Sequence, residues 1–295
     1  MEKTIVRIAQ RDDYRELAEW LVEVSQAPER HCLHTWSGQS AAALRQQLLG
    51  YLDDSELCYV MAEQGGRLAG AMGAEYDESL GRGWLHGPHV TAGDWDGVAA
   101  ALLARLLQAL PASIGRLNAF LNVENRRARG FYAGQRFEER EHLNHEFWLL
   151  PGDRVLAGER GCTPVGRDQE ASFKQLYDAL FPKAYYSADR VLDMVGQSHR
   201  VLVLAEGPRV LGFAVASTED GEAGEVQFLG VDEESRRRGY GRRLLLSAVD
   251  WLLDEAGVSR VTLNVGDELV HARGLYESVG FRLRFTGVGA SRGGT

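Results

Sequence analysis

The chain has 295 residues, 44% hydrophobic and 25% charged, with seven prolines and a net charge of -9. At roughly 150 residues per domain this suits two domains; apolar residues throughout exclude long disorder, and no apolar run reaches the ~18 residues of a membrane-spanning helix. The acidic balance argues against nucleic acid as a partner, which requires a basic surface. Cys32, Cys58 and Cys162 are widely spaced and odd in number, so neither a disulfide framework nor a zinc site is expected. The polar start MEKTIVRIAQRDD is unlike a signal peptide. Together these features predict a reducing, cytoplasmic compartment without membrane attachment.

In chain order, periodicity predicts a helix over 12–25, strands near 58–63, 67–75 and 82–90, a helix over 97–110, a strand over 116–123, a helix over 125–134 and a strand over 137–148. Leu150-Pro151-Gly152-Asp153 interrupts the pattern. Beyond it, EASFKQLYDALF reads as a helix with Asp168 at its N-cap, and Ser187 opens a second short helix. RVLVLAE and VLGFAVAS form a hairpin turning at Gly207-Pro208, followed by a strand over 224–231. A glycine-rich basic loop leads into the helix RRLLLSAVDWLLDEAG, which Gly257 ends. A strand over 260–265, the helix VHARGLYESV stopped by Gly280, and the strand FRLRFTGV complete the pattern. The tail ASRGGT is expected to be disordered.

The two halves repeat one another. MAEQGGRLAG from Met61 answers LAEGPRVLG from Leu204, Leu121-Asn122-Val123 answers Leu263-Asn264-Val265, and Phe131-Tyr132 answers Leu275-Tyr276, always at an offset near 143. One offset at separate places indicates duplication. The predicted domains are therefore 1–150 and 151–295, each α+β.

The sharpest local feature is GEVQFLGV-DEES-RRRGYG-RRLLL over 224–246. A strand runs into Arg236-Arg237-Arg238-Gly239-Tyr240-Gly241, and a helix starts at once. Gly239 and Gly241 permit a sharp turn and a close backbone approach. The first helical amides have no internal partners, and with the helix dipole they make an anion site suited to a pyrophosphate. Arg236, Arg237, Arg238, Arg242 and Arg243 add positive charge. The spacing matches neither a Walker loop nor a dinucleotide fingerprint.

Arg236-x-x-Gly239-x-Gly241 after a strand, then Leu263-Asn264-Val265 and Ala272-x-x-Leu275-Tyr276-x-x-x-Gly280-Phe281, resemble the GNAT acetyltransferase superfamily over nearly the whole second half. The resemblance implies two tandem domains, each with a mixed, mostly antiparallel, V-splayed sheet flanked by helices, and acetyl-CoA bound at a splay. It implies that Leu229, Gly230 and Val231 hold the pantetheine arm, that the amides of 236–241, including Tyr240, hold the pyrophosphate with Arg242 beside them, and that Tyr276 protonates the departing thiolate. Asn264 is counted with the cofactor residues, and fixing the local backbone is its alternative role. Leu269 stands where the family often has Asn, which removes one polar contact to the cofactor. Tyr185 and Tyr186 fall in a loop that would border the acceptor, or they pack between helices.

An amine attacking a thioester must first lose a proton. Glu225, on the strand entering the loop, is the candidate base, or else a solvent-facing carboxylate. The matching stretch of the first half, GWLHGPHV-TAGDWDG-VAAALL, has no Arg, adds Asp94 and Asp96, which would repel a pyrophosphate, and carries Pro88 within its strand. That half is expected to keep the fold and lose acyl-CoA binding. His86 and His89, three apart on a strand, would face opposite sides and not share a metal; no metal is expected. The sequence thus predicts acetyl transfer from acetyl-CoA to a primary amine of a small acceptor, directly in a ternary complex, by a monomer or homodimer. The alternatives are a non-catalytic acyl-CoA-binding protein, or a tandem enzyme with another acyl donor, as in mycothiol synthase. Peptidoglycan-bridge aminoacyltransferases, which use aminoacyl-tRNA, are disfavoured by the net charge of -9.

Overall fold

The computed structural model describes residues 3–32, 40–182, 184, 186–196, 198–218 and 223–293. The chain forms two compact units, Met1–Asn144 with Phe285–Thr295, and His145–Arg284. In chain order the elements are β1 (Ile5–Ile8), α1 (Tyr14–Val24), α2 (Ala41–Asp53), β2 (Leu57–Gln64), β3 (Arg67–Asp77), β4 (Arg82–Val90), α3 (Trp95–Ala109), β5 (Arg116–Asn122), α4 (Arg126–Gly134), β6 (Glu138–Leu149), β7 (Thr163–Pro164), α5 (Glu170–Leu180), α6 (Ala188–Asp193), β8 (His199–Glu206), β9 (Arg209–Ser217), β10 (Ala223–Val231), α7 (Tyr240–Asp250), β11 (Arg260–Gly266), α8 (Val270–Val279) and β12 (Arg282–Arg292). The fold is α+β, as the sequence predicts.

In the first unit β1, β2, β3 and β4 are joined antiparallel, and β4 meets β5 in parallel. α1 buries Tyr14, Leu17, Ala18, Leu21 and Val24, a helical stripe. α3 buries Val98, Ala99, Leu102, Leu103 and Leu106, and its N-cap Asp94 accepts from the Gly97 amide at 3.1 Å. In the second unit β7, β8, β9 and β10 are antiparallel and β10 meets β11 in parallel. α7 contributes Leu244, Leu245, Leu246, Ala248 and Val249 to the core, with Val261, Leu263 and Val265 of β11. Each fully buried Leu is worth about 1.5–3 kcal/mol.

Two strands, β6 and β12, each run from one unit into the other. β6 ends in the second unit, where Phe147 and Leu149 are wholly buried in the core under α7. β12 ends in the first, where Gly287–Arg292 pairs antiparallel with Leu117–Asn122 of β5. The tail is therefore ordered strand through Arg292, contrary to the disorder expected from its Gly and Ser content; β5 supplies the backbone partners. Asp168 does not cap α5: the N-cap is Gln169, without a side-chain bond. Ser187 does cap α6, accepting from the Arg190 amide at 3.2 Å.

Candidate functional site

The site of interest is built where β10 and β11 part. Their parallel pairing covers only Ala223–Glu225 against Arg260–Thr262, although β10 runs on to Val231 and β11 to Gly266. A bulge helps to open the gap. Val226 faces Ala216 and Phe228 faces Val215, so Gln227 is the extra residue. The bulge switches faces: Val226 and Leu229 pack toward α7, whereas Phe228 joins the core under α5 and α6. The Oε1 of Gln227 is buried without a hydrogen bond. Past the bulge, Gly230 is confined, because a Cβ would lie 2.7 Å from Leu180 Cδ1 and 3.1 Å from the Phe213 ring.

After β10 the chain is tied down before it turns. The Asp232 amide donates to Leu211 O at 2.9 Å, and Ser235 Oγ donates to Asp232 at 3.2 Å. Arg237 (φ +61°) and Gly239 (φ +80°) adopt the left-handed conformation. Gly239 is the N-cap of α7, and its carbonyl accepts from the Arg243 amide at 3.1 Å. This leaves the amides of Tyr240, Gly241 and Arg242 as first-turn donors without helical partners. A Cβ on Gly241 would touch Leu275 Cδ2 at 3.3 Å, so a small residue lets α8 lie close.

The arginines divide by role. Arg236 Nε donates to Val231 O at 3.2 Å, Arg242 holds Ser278 O and Oγ at 2.7 and 2.6 Å, and Arg243 Nε holds Arg160 O at 3.0 Å. These three brace the loop and the helix start. Arg237 and Arg238 are exposed and make no hydrogen bond or ion pair among the described residues. A strand-to-helix loop with open amides and two unengaged guanidinium groups fits a diphosphate.

Tyr276 lies on α8, 9% exposed, with its ring centroid 6.0 Å from Phe147 and 6.2 Å from Phe281. Burial raises its pKa, so the hydroxyl stays protonated, as a proton donor requires. Glu225 accepts a hydrogen bond from Asn264 Nδ2 at 3.4 Å. Asn264 thus reaches across the parallel pair to the candidate base. Tyr186 packs against the cluster containing Phe173 and Tyr177, and its carbonyl accepts from Tyr177 Oη at 3.0 Å. Tyr185 lies outside the described residues.

Sequence reasoning missed Glu146 on β6. It accepts a hydrogen bond from the Trp148 indole, and burial, reinforced by the charge of Glu225, pushes its carboxyl up to about 7. The signal was present as a lone Glu within the otherwise hydrophobic end of β6, but its charged neighbours Glu225, Arg260 and Arg284 come from strands more than seventy residues away.

The first unit has its own parting, since β4 pairs with β5 only over Arg82–Leu85 and Arg116–Ala119. Pro88 does not end β4. Ala71 faces His89 and Gly73 faces His86, so Gly87-Pro88 form a bulge opposite Met72. That extra residue puts His86 and His89 on one face, not on opposite faces as their spacing predicts. His86 Nδ1 lies 3.0 Å from Tyr59 Oη. His89 is buried, neither ring nitrogen makes a well-formed hydrogen bond, and burial lowers its pKa to about 3. It lines a cavity of about 500 Å³ with Val24, Pro88, Val90, Trp95 and Asn125. Asp94 is consumed as a helix cap and Asp96 pairs with Arg127 at 3.5 Å. Within either unit the described residues gather no three metal-ligating groups within 4.8 Å of one another. No described helix is long and apolar enough to cross a membrane.

Residues 167–281 match the family model described as Acetyltransferase (GNAT) family. Two curated relatives are similar, both named mycothiol acetyltransferase. One, from Thermobispora bispora, is 31% identical over 140 residues, covering 47% of this chain and 43% of its own. The other, from Beutenbergia cavernae, is 47% identical over 62 residues, covering 21% and 20%. The matches thus span less than half of those relatives. A solved GCN5-related N-acetyltransferase from Sphaerobacter thermophilus has a similar fold, with a TM-score of 0.73, 16% identity and coverage of 98% and 95%. So does a tandem GNAT protein from the clavulanic acid biosynthesis pathway, with a TM-score of 0.66, 16% identity and coverage of 99% and 98%.

Proposed function

Because residues 167–281 form a domain of the GNAT acetyltransferase family, we propose that this chain is an N-acetyltransferase. It moves an acetyl group from acetyl-CoA to the primary amine of a small acceptor, directly and within a ternary complex. The observation that carries the reading is the parted β10 and β11 leading into the left-handed Gly239 and the open amides of α7. Acetyl-CoA supplies the activated thioester. The backbone of Leu229, Gly230 and Val231 lies along the pantetheine arm, and the amides of 236–241 with Arg237 and Arg238 take the diphosphate.

Glu225 withdraws the amine proton at the mouth of the gap, and Tyr276 gives its proton to the departing sulfur. Holding the two substrates together supplies much of the rate, since positioning alone can contribute about 7–11 kcal/mol. None of the described residues that take part in the transfer is a Cys, so the acetyl group passes directly to the amine. The relatives' name, mycothiol acetyltransferase, makes an acceptor of the mycothiol kind the first to try. The first unit carries no acyl-CoA loop and keeps the fold without the transfer chemistry.

Calorimetric titration of the full chain with acetyl-CoA tests this. One site per chain, abolished in Gly239→Asp/Gly241→Asp, is the expected result. Two sites would place a second in the first unit and overturn its assignment as spent. No binding would overturn the acetyl-CoA reading.

A further inference from the structure

The sheet face of the second unit opposite α7 carries a group of charged side chains drawn from four strands. β6 gives Glu146 and Trp148, which point away from the buried Phe147 and Leu149 by strand alternation. β11 gives Arg260 and Asn264, which alternate with the buried Val261, Leu263 and Val265. β10 gives Glu225 and β12 gives Arg284. The indole N–H of Trp148 donates to Glu146. The guanidinium groups of Arg260 and Arg284 lie 4.8 and 5.1 Å from the Trp148 ring centroid, and Asn264 holds Glu225 at 3.4 Å. The group lies where β10 and β11 stop pairing, so it borders the gap in which the thioester would sit.

We propose that Glu146 and Glu225 act as one base, a carboxyl pair that seats the acceptor's ammonium group between them and keeps one of its protons. This rests on the acetyl-transfer reading above. Both carboxylates attract the incoming cation. One proton passes from the ammonium nitrogen to the pair. The freed lone pair forms the N–C bond to the acetyl carbon while the C–S bond breaks. The sulfur leaves with the Tyr276 proton, and the second proton lost by nitrogen restores the tyrosine. The sum is ammonium, carboxylate pair and acetyl-CoA giving amide, singly protonated pair and CoA thiol.

The groups facing Glu146 explain why a pair is needed. Burial and the charge of Glu225 raise its carboxyl to about 7, while Trp148, Arg260 and Arg284 oppose the rise. Two coupled carboxyls titrate as a unit, and a base that titrates near the working pH is the effective one.

The test uses the full chain labelled with carbon-13 at glutamate carboxyls and followed by NMR from pH 4 to 9. The Glu146 resonance is the one missing in Glu146→Gln. Its midpoint near 7 is expected to fall by about a unit or more in Glu225→Gln, and to fall again when 0.2 M glycinamide is added to the native protein at constant ionic strength. A midpoint that neither change moves overturns the pair. Acetyl-CoA calorimetry on the native chain separates the two readings. Binding with an unmoved midpoint sinks only the pair, whereas absent binding in the native chain sinks the transfer reading. For any amine turned over, the acid limb of kcat/KM is expected near pH 7, and in Glu146→Gln it moves down by about two units, with kcat at least tenfold lower.

Discussion

Gly239 offers a sharp test of how the loop is held. At φ +80° and ψ 0° it is the left-handed N-cap of α7, and a Cβ built there would meet no atom within 4 Å. Steric crowding therefore contributes nothing, and the cost of a side chain is conformational. For an L-residue other than Gly, Asn or Asp that cost is about 1–2 kcal/mol. Gly239→Ala should lower unfolding free energy by that amount, or about 3–6 °C in midpoint for a unit of this size. Gly239→Asn should lose less than half as much, because Asn tolerates the left-handed region and caps helices well. Urea unfolding of the three proteins followed by circular dichroism reads the difference. Equal loss in the Ala and Asn variants, or none in the Ala variant, would refute the argument that backbone conformation is what this glycine supplies.

Tyr276→Phe should reduce kcat at least 100-fold with any accepted amine, while leaving the thermal midpoint unchanged, because the described residues give its hydroxyl no hydrogen bond to lose; an unchanged kcat excludes it as the acid. His89 makes the protein acid-sensitive. Its pKa falls from 6.5 unfolded to about 3 folded, so the unfolded chain binds more protons between those values and stability drops as pH falls below 6.5. The loss reaches about 4 kcal/mol by pH 3, and His89→Gln should flatten the curve by one proton in urea titrations across that range. Ending the chain after Gly287 removes Val288 and Ala290, each 2% exposed and paired with β5. The shortened protein should lose several kcal/mol, and a melting temperature equal to that of the full chain would show the tail to be dispensable.

The helices and strands around the loop were legible because they rest on local signals. Leu244 to Val249 form one apolar face, and Gly280, at φ +111°, stops α8 where a Cβ would collide with Asp153 O. What the sequence hid depends on partners distant in the chain. Gln227 looks like an ordinary strand residue, and Pro88 like a strand breaker, until the neighbouring strand fixes which residue is extra, and only then do His86 and His89 share a face. α2 and β1 were missed for a related reason. α2 buries only Leu44 and Leu48, and β1 is four residues paired to β2, so neither carries a strong period of its own. The exchanged strands extend the same logic to function. Phe147 and Leu149, at the end of the first repeat, lie in the core of the second unit, and Phe147 stands 6.0 Å from Tyr276. A chain cut at the repeat boundary would leave Tyr276 without that wall and without Glu146. The last strand of the first repeat thus completes the second unit's core and carries the Glu146 of the proposed carboxyl pair.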